Sequence, residues 1–160
     1  MIRSKILIKF LSGCVVLMTL GLSNFANAGF QADYDAALAT FRSAKVQADY
    51  QKAASQFTTL AARSDAGTLK ANTIFWLAEC FYGMKDYTRA LNTFERVMTI
   101  PKSNKEEDSR YKVAACYLRL NLREAARWEL TRFLRDYPSS KKVDLVRKEL
   151  NKLPAETAGN

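Results

Sequence analysis

The stretch IFWLAECFYGMKDYTRALNTFERVMTIP, which runs from Ile74 to Pro101, predicts two short antiparallel helices. The apolar residues of its first half follow the i, i+3, i+4, i+7 spacing of one helix face: Ile74, Leu77, Ala78 and Phe81. Asp86 is placed to cap the second helix, and Pro101 ends it. Because two such short helices cannot bury both apolar faces by themselves, the pair needs similar units on either side.

The same pattern recurs with a period in the mid-thirties. A forward step of 36 residues relates Cys80 to Cys116 and Ala90 to Ala126, and a backward step of 37 relates Ala90 to Ala53. One helix pair per period of this length is typical of tetratricopeptide (TPR) arrays. The sequence therefore predicts an all-α fold, in which the small alanines let paired helices approach closely. About three helix-turn-helix repeats are expected, at residues 32–63, 68–101 and 105–138.

Two further segments follow the repeats. A capping helix is predicted at 140–153, with a solvated outer face, and a loose tail at 154–160. Helix starts are predicted at side-chain caps: Thr68, Ser103 with Glu106 as a capping box, and Ser139 or Ser140.

The segment LAECFYGMKDYTRALNTFERV resembles the TPR consensus, with the signature positions held by Leu77, Ala78, Phe81, Tyr87, Ala90 and Phe94. Alanine at position 78 and Lys85 stand where the family usually has glycine. The resemblance implies a right-handed solenoid whose concave groove, lined by the first helix of each repeat, holds a peptide or extended protein segment.

Carried over position by position, the resemblance implies a set of groove residues. The second repeat offers Phe75, Glu79 and Tyr82, the third Tyr111, Ala115, Leu118 and Arg119, and the first Leu38, Arg42 and Lys45. The predicted partner contacts are Phe75, Glu79, Tyr82, Tyr111, Leu118, Arg119 and Arg42. The alternative is that the aromatic members pack internally or against the next repeat.

The first 28 residues have the pattern of a signal peptide. Three basic residues precede an apolar run from Phe10 to Leu22, and an A-x-A site ends at Ala28. We expect cleavage after Ala28 and export of a mature chain beginning at Gly29 to the periplasm. An uncleaved helix is one alternative. Another is lipidation at Cys14, which follows a lipobox-like Leu-Ser-Gly, but the apolar run continues past this cysteine.

The residues that would support catalysis are few. The chain has no histidine, so it can form no Ser-His or Cys-His dyad and no His-ligated zinc site. Cys80 and Cys116, at equivalent repeat positions, would lie about 8–10 Å apart on packed helices, which exceeds disulfide reach. We therefore predict two buried thiols, a non-catalytic protein and no cofactor or metal.

The net charge of +9 comes from 25 basic and 16 acidic residues, and removal of the leader would leave +6. The excess is concentrated in the third repeat: Arg110, Lys112, Arg119, Arg123, Arg127, Arg132 and Arg135. An exported protein is not expected to meet nucleic acid. The alternative to a groove scaffold is therefore a binder of anionic envelope surfaces, peptidoglycan or membrane, through this basic repeat. A plain solvated face would show the same composition.

Within the TPR proteins, WLAECFYGMKDYTRALNTFERV and FLRDYPSS resemble the C-terminal domain of the Tol–Pal-associated cell-division coordinators (CpoB type) of Gram-negative bacteria. This resemblance implies a role in cell-envelope maintenance or assembly. That family also carries an N-terminal coiled coil for trimerisation, whereas here the first repeat starts almost at the cleavage site. The sequence leaves the partner and the oligomeric state open.

Overall fold

The computed structural model describes residues 29–154, and all of its regular structure in that range is helical. The helices are α1 (29–43), α2 (Gln47–Ala61), a 3-10 helix (Ser64–Leu69), α3 (Lys70–Gly83), α4 (Tyr87–Met98), α5 (Glu106–Arg119), α6 (Arg123–Asp136) and α7 (Val143–Asn151). The predicted all-α repeat fold is confirmed. The predicted signal peptide, Cys14 and nearly all of the predicted tail lie outside the described residues.

Each helix from α2 onward packs mainly against its neighbours in the chain, as in a linear array. The fully buried Ala53, Ala90 and Ala126 occupy equivalent positions in α2, α4 and α6. Successive helix pairs thus meet at repeated small residues, which agrees with the sequence period. Within the described range, every helix is too short or too polar to cross a bilayer.

The core consists of three apolar clusters in succession along the array. The first joins α1 and α2 to α3 and includes Phe30 and Phe57. The second joins α3, α4 and α5 around Phe94. The third is the smallest, and in it Val146 of α7 packs with α5 and α6. The apolar core is therefore smallest at the C-terminal end of the array.

The turn within each repeat follows from local chemistry. Lys85 and Asn121, which lie 36 positions apart, both have left-handed backbones, with φ of 61° and 60°. Asp86 then accepts a hydrogen bond from the backbone N–H of Arg89 at 3.0 Å, so its predicted capping role is confirmed. The equivalent residue in the third repeat is Leu122, and α6 starts without a side-chain cap.

The other predicted caps are wrong. The helices α3, α5 and α7 follow Leu69, Lys105 and Lys142, none of which makes a side-chain cap. Ser103 and Ser140 instead accept hydrogen bonds from the backbone N–H two residues later, at 3.1 and 3.0 Å. This local bond closes a turn before each helix, so the capping helix begins at Val143 and not at residue 140.

Replacing Ala90 by tryptophan should lower the free energy of unfolding by about 1–3 kcal/mol or more, because the side chain would enter a fully packed site between helices. Thermal or denaturant unfolding of the purified protein measures this. The same substitution at Ala39, an exposed residue in α1, is the control and should have little effect. Equal stability of the two variants would contradict the helix pairing described above.

Candidate partner-binding groove

Four of the predicted partner contacts line one cavity of about 360 Å³: Tyr82, Tyr111, Leu118 and Arg119. They come from the facing sides of α3 and α5, and Ala115 and Leu130 add an apolar floor. Glu149 of α7 and Lys152, which follows α7, complete the lining. We call this cavity the α5–α7 groove.

The aromatic walls of the α5–α7 groove are held by neighbouring side chains. Tyr82 packs edge-on against Tyr87, with ring centroids 5.2 Å apart, and its hydroxyl accepts a hydrogen bond from Nε of Arg119 at 3.3 Å. The Lys112 ammonium lies 5.0 Å from the centroid of the Tyr82 ring. These contacts fix Tyr82 and leave it half-buried, as suits a preformed binding surface.

Tyr111 also lines the groove and packs against the core. Its ring packs edge-on against Phe133, with centroids 6.4 Å apart. Burial raises the pKa of the Tyr111 phenol, so the hydroxyl remains protonated at neutral pH. The groove thus offers two phenolic hydroxyls beside apolar surface.

The charged residues of the groove are not balanced. Nζ of Lys152 lies 2.8 Å from a carboxylate oxygen of Glu149. Arg119 is exposed and forms no ion pair with any carboxylate of residues 29–154. Its hydrogen bond to Tyr82 raises the pKa of Arg119 further, so it stays cationic. The lining therefore carries two cations and one anion.

Glu79, another predicted contact, is already paired within the protein. Its carboxylate lies 2.7 Å from Nζ of Lys112, which links α3 to α5, and its side chain is only 13% exposed. Burial raises the pKa of Glu79, and Lys112 acts in the opposite direction. Glu79 therefore contributes to the junction between repeats, where it positions Lys112 over Tyr82.

Phe75 does not line the groove. It is 6% exposed and packs edge-on against Phe94 and Trp76, with both centroid distances at 5.5 Å. The alternative, that this aromatic packs internally, is what the structure shows. Arg42 is exposed on α1, outside the lining of the α5–α7 groove.

The contribution of α7 to the groove cannot be predicted from the sequence, whose apolar pattern in this segment indicates only a capping helix. The helix is held to α5 by Val146, which is fully buried, and by Lys142, whose Nζ lies 2.6 Å from Asp108 and 3.4 Å from Glu107. Ser140 also donates a hydrogen bond to Glu107 at 2.5 Å. This ionic contact sets α7 where Glu149 can form the groove wall.

The family model described as "Anaphase-promoting complex, cyclosome, subunit 3" matches residues 46–132, which are 87 of the 160 residues. The chain belongs to this family of TPR-like repeats. The matched region runs from just before α2 into α6 and contains the residues that α3 and α5 contribute to the groove. No curated protein matches the chain.

The two cysteines of the described chain are inaccessible to solvent. Cys80 and Cys116 are both fully buried and unbridged. Burial raises the pKa of each thiol to about 12, so neither is a thiolate at neutral pH. Within residues 29–154, no group of three potential metal-ligating side chains occurs. The α5–α7 groove is the cavity on which the predicted partner contacts converge.

The contact of Asp108 with Lys142 should make the docking of α7 sensitive to acid. Burial acts against ionisation, but the ion pairs with Lys142 and Lys105 lower the pKa of Asp108 below its ordinary value of 3.8. A carboxyl group with a lowered folded-state pKa stabilises the fold above its unfolded pKa, and this contribution is lost as pH falls through the folded value. We therefore expect the docking of α7 to weaken in acid.

At pH 7, Asp108→Asn should speed amide hydrogen exchange in α7 about fivefold, since a partly exposed ion pair contributes about 1 kcal/mol or less. Glu95→Gln, which changes an exposed carboxylate on α4 that forms no ion pair among the described residues, is the control. Equal exchange rates in the two variants would show that the Asp108 ion pair does not hold α7.

Proposed function

We propose that this protein is an exported, non-catalytic TPR scaffold that binds a protein or peptide segment in the α5–α7 groove, in cell-envelope maintenance or assembly. The observation that carries the proposal is the convergence of Tyr82, Tyr111, Leu118 and Arg119 on one cavity. TPR-like repeats generally mediate protein–protein interaction. Aromatic and arginine side chains are also those that dominate the energies of protein interfaces.

The proposal of export rests on the basic and apolar pattern before Ala28 and on the A-x-A site. Phe30 is fully buried in the first core cluster, and a cut after Ala28 would retain it. Cleavage there is therefore compatible with the packing of α1. The resemblance to CpoB-type proteins supports an envelope role in the periplasm.

We expect mass spectrometry of the protein purified from its native envelope to find a mature N-terminus at Gly29. A shift of that terminus under Ala28→Arg, with Ala32→Arg as a control outside the A-x-A site, would support the assignment. An acylated N-terminal Cys14 would replace the soluble periplasmic proposal by a lipid-anchored one.

A second candidate is an anionic-surface binder. Residues 101–154 contain 14 basic and 8 acidic residues, a net charge of +6, whereas residues 29–100 contain 8 and 7, a net charge of +1. Three of the basic residues already form local ion pairs, Arg110 with Glu129 and both Arg132 and Arg135 with Asp136, which makes them less available to an anionic surface. The exposed Arg123 and Lys141 remain as principal contacts for this candidate.

A capture experiment with the mature chain as bait separates the two candidates. Envelope extract is applied to wild type, to Tyr82→Ala/Leu118→Ala and to Arg123→Glu/Lys141→Glu, over a range of ionic strengths. If the groove binds, loss of the two apolar groups should weaken capture about tenfold or more, at about 1 kcal/mol or more per anchor, with weak dependence on salt.

Trp128→Ala is the control, since this residue is 58% exposed on α6 and lies outside the groove lining. Each variant is first shown to keep the wild-type melting temperature. Capture that survives the Tyr82→Ala/Leu118→Ala variant but collapses with salt and with Arg123→Glu/Lys141→Glu would favour the anionic-surface candidate.

A further inference from the structure

The α5–α7 groove carries one positive charge that the protein does not balance. Arg119 and Lys152 both line it, and Glu149 is the single carboxylate among the lining residues. Glu149 pairs with Lys152 at 2.8 Å. Its negative charge also acts on Arg119, although the two form no ion pair.

We propose that the bound segment presents a carboxylate next to an apolar side chain, and that Glu149 of α7 competes with this carboxylate for Arg119 and Lys152. This inference rests on the proposed groove function and adds the chemistry of the partner. A ligand carboxylate complements the unbalanced cation, and the guanidinium suits it because planar, multiple N–H groups bind carboxylates well.

The apolar part of the proposed ligand is defined by the same cavity. Leu118 and Ala115 line the cavity together with Tyr82 and Tyr111, and Leu130, which also lines it, is otherwise fully buried. An apolar side chain of the ligand would cover this floor while its carboxylate reaches Arg119. A cavity of about 360 Å³ accommodates a short stretch of extended peptide and not a folded domain.

A basic ligand fits the groove less well. The Tyr82 ring, which could attract a cation, already has Lys112 at 5.0 Å. The carboxylate of Glu149 already pairs with Lys152. A ligand cation would therefore displace an internal cation and add to the positive charge of Arg119, whereas a ligand carboxylate adds a missing charge.

Glu149 gives the inference a distinctive consequence. Arg119→Gln should weaken the binding of an acidic ligand, but the loss of many other contacts would have the same effect. Glu149→Gln should strengthen the same ligand, because it removes the competing carboxylate and frees Lys152. A residue with a purely structural role in α7 would not produce a gain restricted to acidic ligands.

The probe is a library of fluorescent peptides screened against the mature chain. Each peptide carries one apolar residue beside a variable position that is Glu, Gln or Lys, and each is made with a free and with an amidated C-terminus. The Glu and Gln members test a side-chain carboxylate, and the free and amidated members test a terminal carboxylate. Affinities are measured for wild type, Arg119→Gln, Glu149→Gln, Leu118→Ala and the control Arg96→Gln, which changes an exposed arginine of α4 outside the lining.

We expect carboxylate-bearing peptides to bind best and Arg119→Gln to weaken their binding about two- to fivefold, as for an exposed charged contact. Glu149→Gln should strengthen them about two- to fivefold and leave the neutral peptides unchanged. Arg96→Gln should change neither class selectively.

Selection of lysine peptides, or weaker acidic binding in Glu149→Gln, would overturn the inference, as would Leu118-dependent binding with no preference for charge. In each of these cases groove binding itself would still stand. A complete lack of Leu118-dependent binding by any peptide would instead overturn the proposed groove function and the inference with it.

Discussion

The burial of each helix pair against the next is the constraint on which the rest of the structure depends. The helices α3 and α4 have 14 and 12 residues, lengths at which an isolated helix is marginal in water. Ala53, Ala90 and Ala126 are fully buried at equivalent points, and each apolar cluster takes side chains from successive helices. The helices of the described chain are therefore stabilised by the interfaces between neighbouring repeats, and a single repeat would not be stable alone.

At the C-terminal end this constraint is met by α7, which has nine residues and buries only Val146 fully. Lys142 adds ionic contacts to Asp108 and Glu107, which are partly exposed and hence individually weak. The same docking brings Glu149 and Lys152 to the cavity lining. Ligand binding at this wall is thus linked to the stability of α7, because a ligand that prefers the docked helix also stabilises it.

The sequence predicts the features that depend on its repeat period. It predicts less well whether a given side chain is buried by residues of an adjacent helix. Period and small residues suffice for the helix pairs, and Asp86 for one cap. Phe75 and Tyr111 lie 36 positions apart, and the repeat pattern predicts the same role for both. In the structure Phe75 packs against Phe94 and Trp76, whereas Tyr111 lines the cavity. The serine caps were misplaced because a hydroxyl can close a turn before a helix as readily as it caps one.

The charge of the groove arises from differences between otherwise equivalent repeats. Where the second repeat has Gly83, the third has Arg119, 36 residues later. A Cβ added at Gly83 would come within 2.7 Å of the Tyr50 ring, so the glycine admits the tyrosine of the preceding helix. Tyr87 lies 37 residues after Tyr50 and is its equivalent in the next repeat. The position that corresponds to Gly83 is occupied by Arg119, which lies near enough to Tyr87 to interact with it electrostatically, and the Tyr87 ring packs on Tyr82. The residue that replaces the glycine in the third repeat is therefore also the one that supplies the cation of the groove.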